Sequence, residues 1–136
     1  MRQLLFVIAA GLGATLLAGC NKGVPADAAA DAITALGKQL PAPYRDDLVT
    51  ESVQQQGKDV VLVIRAADIT VAMAKAKPDV FDALRLDEQA AITELCVDPL
   101  LTPVLAAGGK LHRRFIDRDG ASFFDATLTP SDCQTH

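Results

Sequence analysis

Lys110-Leu111-His112-Arg113-Arg114-Phe115-Ile116-Asp117-Arg118-Asp119-Gly120-Ala121-Ser122-Phe123-Phe124-Asp125-Ala126-Thr127-Leu128-Thr129 is the stretch that decides the fold. Residues 110–117 and 122–129 read as two strands, and Arg118-Asp119-Gly120 between them carries the Asp-Gly signal of a tight turn. Phe124, Ala126 and Leu128 alternate onto one face, with Leu111 and Phe115 as partners across the pair. Upstream, Gly108-Gly109 ends a helical region. That region includes a helix over 87–97, opened by Asp87-Glu88-Gln89, with Ala91, Ile92, Leu95 and Cys96 on one side. Asp98-Pro99 opens a further start, and Pro103 breaks the segment after it.

A second hairpin lies earlier, with strands over 48–54 and 58–65 joined by Gln55-Gln56-Gly57. Val60 to Ile64 is an unbroken apolar run, which places it centrally in a sheet with at least part of both faces covered. Residues 66–77 fit either a helix, with Ile69, Met73 and Ala76 on one side, or a connector. Pro78 and residues 79–84 add a helical turn or two. Residues 25–39 read as an Ala-rich helix, begun by Pro25 and stopped by Pro41 and Pro43. The expectation is an α+β fold: an antiparallel sheet of about four strands, made of two hairpins, covered by helices.

The N-terminus reads as an export address. Arg2 precedes an apolar run from Leu4 to Leu17, too short to span a bilayer comfortably. It ends in Leu17-Ala18-Gly19-Cys20, which resembles a bacterial lipobox. The resemblance implies cleavage before Cys20 and lipid on its thiol and new amine; the alternative is a plain secretory signal. Several acyl chains on one residue hold a protein to a membrane where one alone is marginal. Asn21 follows Cys20 where Asp favours inner-membrane retention in Gram-negative lipoproteins, so the expected address is the periplasmic face of the outer membrane. The expected organisation is a signal over 1–19, a lipidated tether over 20–24 and one domain over 25–136.

Thirteen Lys and Arg stand against seventeen Asp and Glu in 136 residues. An acidic chain with no basic run argues against nucleic acid and against docking on anionic lipid by charge. Of three cysteines, Cys20 is taken by lipid. Cys96 and Cys133 are then left in an oxidising compartment, where the simplest reading is a disulfide. Closing a loop of roughly 38 residues stabilises by on the order of 3–4 kcal/mol. The alternative is a reactive or metal-binding pair, although the spacing matches no zinc pattern.

No nucleophile motif, zinc-protease motif or phosphate loop occurs. Asp117-Arg118-Asp119-Gly120 lacks the later ligands of a calcium loop. No residue set calls for a metal or a cofactor, and the expectation is a protein that is not an enzyme. Lys110, His112, Arg113, Arg114 and Arg118 concentrate basic groups on one strand and its turn. They read either as charges that blunt an edge strand or as a contact surface for an acidic partner or an added peptide.

Leu40-Pro41, Cys96-Val97-Asp98-Pro99, Leu105, Gly108-Gly109, Arg113-Arg114-Phe115, Asp117-Arg118-Asp119-Gly120 and Cys133 together resemble a family of small exported Gram-negative proteins. That group is similar to the quorum-sensing-regulated virulence-factor proteins. More remotely, it resembles the α/β pilotins of type II secretion, outer-membrane lipoproteins that escort and bind a secretin subunit. The resemblance covers most of residues 36–133 and implies a non-catalytic role in binding or chaperoning an envelope protein. The alternative is a periplasmic immunity or inhibitor lipoprotein whose basic strand docks in an acidic cleft.

Overall fold

A computed structural model describes residues 27–134. Five strands form one sheet in the order β1-β2-β3-β4-β5: β1 (Ala42–Pro43), β2 (Leu48–Gln56), β3 (Asp59–Ala66), β4 (Leu111–Ile116) and β5 (Ser122–Leu128). The two expected hairpins are present as β2–β3 and β4–β5. The sheet departs from the expected four antiparallel strands in two ways. A two-residue edge strand pairs Ala42 with Thr50 and Pro43 with Val49. The two hairpins also join through a parallel β3–β4 pair, from Val60 opposite Leu111 to Arg65 opposite Ile116. The chain between them, residues 67–110, is a helical crossover that returns β4 alongside β3 in the same direction, which tight turns cannot do.

Four helices accompany the sheet: α1 (Ala28–Gly37), α2 (Val71–Lys75), α3 (Pro78–Ala91) and α4 (Thr102–Ala106). Asp27 caps α1 by accepting a hydrogen bond from the Ala30 amide at 2.9 Å. The start expected at Pro25 lies outside the described residues. The helix expected over 87–97 is divided: its first part belongs to α3, and Ile92–Val97 tightens into a 3₁₀ turn.

The main core lies on one sheet face. Val60 and Leu62 of β3, Leu111 of β4, and Ala126 and Leu128 of β5 pack with Ile92, Leu95, Leu101 and Val104 from the crossover. Ala28, Ala29 and Ala32 bury the near side of α1 in the same cluster, small side chains that let the helix lie close to the sheet. Gly109 is required where the crossover enters β4: a Cβ there would stand 2.2 Å from the Lys58 carbonyl oxygen.

On the opposite face Val61, Val63 and Ile116 are also buried. No helix belongs to that cluster. Its cover comes from cross-strand polar neighbours instead. His112 and Gln54 flank Val61, and Arg114 and Ser52 flank Val63. Arg114 pairs with Asp125 at 2.9 Å, and Arg65 with Glu51 at 2.5 Å. The long stems of such side chains shield apolar surface while their heads stay wet. Cys96 and Cys133 form the disulfide, tying the 3₁₀ turn after α3 to the short turn Pro130–Gln134 that follows β5.

Candidate binding groove

The helical face is not fully covered. At the end of the sheet where β2 begins and β3 ends, α2 and α3 stand off it and enclose an apolar groove of about 260 Å³. The local sequence sets this geometry. Thr70 caps α2 by accepting from the Met73 amide at 3.2 Å. Pro78 then begins α3 within its first turn. α2 buries no residue, and Glu88 is the one buried residue of α3. Their apolar side chains therefore face an unfilled space. Met73 is 54% exposed, Val80 66% and Leu84 42%. Lys77 is the single charged residue on the lining.

Aromatic rings make the floor. Phe115 and Phe124 stack across β4 and β5 with centroids 4.7 Å apart. Phe81 of α3 meets Phe124 edge-on at 5.5 Å and leans on Phe123 at 5.9 Å. A shift of register between β4 and β5, at Phe115 and Ile116, accompanies this placement of two successive phenylalanines against one helix residue.

Two polar anchors hold the walls. Asp117 is 3% exposed and works as a hub. Its Oδ1 accepts from the amides of Asp119 and Ala121, each at 2.8 Å, and its Oδ2 accepts from the Val71 amide at 3.1 Å. The first amide of α2 is thereby tied to the β4–β5 turn. Burial works against ionisation of Asp117, but the backbone N–H groups of Val71, Ala121, Asp119 and Gly120 outweigh it, so the carboxyl stays below its usual range. Arg65 reinforces the joint by donating to the carbonyls of Asp117 and Arg118.

The second anchor holds the far end of α3. Tyr44 donates to Glu88 Oε2 at 2.6 Å and accepts from Arg45 Nη2 at 2.6 Å. Arg45 and Arg113 lie over the Tyr44 ring, 4.5 and 4.9 Å from its centroid. Arg113 also donates to Glu94. Burial, then the hydrogen bond to Glu88, pushes the Tyr44 phenol up to about 12.

The basic residues singled out in the sequence do not form one patch. β4 is an interior strand, so these charges do not blunt an edge. Strand alternation sends Arg113, 4% exposed, toward the helices. His112 and Arg114 point to the opposite face, where His112 Nε2 lies 3.4 Å from Asp59 and Nδ1 3.0 Å from the Thr127 hydroxyl. Lys110 and Arg118 are exposed at the two ends of the strand. The groove residues Phe81, Lys77 and Phe123, and the anchor Tyr44, carry no motif in the sequence. The visible signals of the groove are the shared side of Ile69 and Met73 and the strand alternation that sets Phe124 opposite Phe115. Among the described residues, no three or more metal-ligating side chains cluster, and no helix is long and apolar enough to cross a membrane.

The molecule is thus a small mixed-sheet α+β domain with an apolar groove at one end. Two solved structures share this fold. One is the pilotin EpsS of the type 2 secretion system of Vibrio vulnificus: 20% identity, TM-score 0.54, with 79% of this chain and 88% of that chain covered. The other is the type II secretion pilotin AspS of Vibrio cholerae: 19% identity, TM-score 0.53, covering 78% and 88%. No family model and no curated protein matches the chain.

Proposed function

We propose that this protein acts without catalysis, as a lipid-anchored pilotin-like lipoprotein that binds a secretin subunit through the α2–α3 groove. The observation that carries the reading is the groove itself: exposed Met73, Val80 and Leu84 around a floor of stacked phenylalanines, in a fold shared with two secretion pilotins. Such a surface suits an amphipathic segment that lays an apolar face into it. Its separate side chains could fill a space of about 260 Å³, whereas a whole folded domain could not. In this reading residues 1–19 are removed, Cys20 carries the lipid, residues 20–24 are the tether, and the domain works at the periplasmic face of the outer membrane. Arg118, exposed at the groove end of β4 beside Asp119, is placed to add a contact to an acidic part of the same partner, whereas Lys110 lies at the other end of the strand. The dispersal of the five basic residues over two faces and two strand ends favours this reading over docking of one basic patch in a toxin's cleft.

The test is binding of a purified secretin subunit to the full lipidated chain in detergent. Met73→Glu and Leu84→Glu change exposed positions and leave the core alone. Each is expected to abolish binding while the far-ultraviolet circular dichroism stays unchanged. Undiminished binding by both variants would overturn the groove as the site. Absence of binding by the wild-type chain would overturn the partner.

A further inference from the structure

Among the described residues β5 ends the sheet, and no strand lies beside the outward row of its backbone groups. α3 runs along that side, and one of its side chains enters the row. Gln89 Nε2 donates to the Thr127 carbonyl at 2.8 Å, and Gln89 Oε1 accepts from the Thr127 amide at 3.0 Å. This is the two-bond exchange that a residue of a neighbouring antiparallel strand would make. Gln89 is itself exposed, so the amide is not placed there by burial. A side-chain amide occupies the position of a peptide group, which shows what that edge is built to accept.

The sequence of β5 makes the edge dangerous to leave open. Ser122-Phe123-Phe124-Asp125-Ala126-Thr127-Leu128 has two aromatics and no proline. Its one charge, Asp125, is already held by Arg114 at 2.9 Å. Short strands of this composition pair readily with copies of themselves, and antiparallel self-pairing needs a second molecule and release of the Gln89 end of α3 from the edge. We propose that Gln89 is an edge guard, and that the surface it closes is a latent pairing site for β5 of a second copy of this chain. The guard keeps the chain single.

Native mass spectrometry of the full chain released from detergent tests this across a wide concentration range. The wild type is expected to remain one chain. Gln89→Ala keeps a good helix former in α3 and is expected to shift the main species to two chains as concentration rises. Thr127→Pro added to Gln89→Ala removes the outward amide, at a position where an edge strand tolerates proline, and is expected to restore the single chain. A folded Gln89→Ala variant that stays single, or a pair that survives the added Thr127→Pro, would overturn the proposal. Should Gln89→Ala not fold, hydrogen exchange of the wild type decides: the Thr127 amide is expected to be as protected as the interior β3 amides, and rapid exchange there overturns the guard. Neither readout depends on a secretin, so this proposal and the groove reading fail separately.

Discussion

Replacing Cys96 and Cys133 together by serine removes a cross-link whose value follows from the loop it closes. The two cysteines are 37 residues apart in sequence. In the chain-entropy treatment, opening a loop of roughly 38 residues returns about 13 cal/mol/K to the unfolded chain, or about 3.9 kcal/mol at room temperature. The loop holds α4, β4 and β5, so the constraint acts on two of the five strands. The native side adds little to offset the loss. The turn Pro130–Gln134 buries no residue, and the hydrogen bonds given by Thr129 to Asp132 at 2.8 Å are exposed. Urea unfolding of the full chain, followed by circular dichroism, measures the difference, with the denaturant slope checked for constancy. A midpoint corresponding to a loss of about 3–4 kcal/mol is expected. A loss below about 1 kcal/mol, with slope unchanged, would refute the reasoning, because the unfolded chain would then not be gaining the freedom assigned to it.

The remaining predictions concern single groups. Gly109→Ala drives a methyl into the Lys58 carbonyl at 2.2 Å and Val104 at 2.9 Å. Backbone cannot yield as a side chain does, so the expected loss is about 3 kcal/mol or more, read from the same urea curves. Tyr44 is the one tyrosine in the sequence, so its phenolate absorbance reports a single group. The midpoint is expected at about 12 instead of 10.0, and Glu88→Gln is expected to lower it. The raised value means that stability is full below pH 10 and is lost as pH rises toward 12. Asp59, Asp117 and Asp132 titrate below 3.8 in the folded chain. Their contribution is therefore present above that value and lost as pH falls through the lower folded values. Asp117→Asn is expected to flatten the acid limb of a stability-against-pH curve and to speed hydrogen exchange at Val71, whose amide loses its acceptor.

Where hydrogen-bond patterns are local, the residues announced the structure. Asp119-Gly120 marked the β4–β5 turn, Gly57 the β2–β3 turn, and both glycines hold positive φ. The run from Val60 to Ile64 marked the central strand, though side chains instead of a second layer of helices cover its far face. The parallel β3–β4 contact was hidden because hairpin signals say nothing about which hairpin strands meet. That choice falls to the crossover of 67–110 and its packing. The two residues of β1 are too short for any period. The groove was the least legible part. Its floor needs Phe115, Phe123 and Phe124 to converge with Phe81 from more than thirty positions away, and its walls are α2 and α3, which carry almost no buried face to produce a helical stripe. The basic strand misled for an elementary reason: consecutive strand residues point to opposite sides, so Arg113 and Arg114 part company.

The cap of α1 has a geometric corollary. Asp27 also accepts from the Gln55 side chain at 3.2 Å, so the chain enters the domain beside the β2–β3 turn. Leu48, at the other end of β2, borders the groove, about 23 Å away at the rise of an extended strand. Under the proposed anchoring at Cys20, the described domain would be held from the pole of Asp27 while the groove opens at the other. On that proposal the domain would turn its groove away from the bilayer, as a mooring buoy faces the open water.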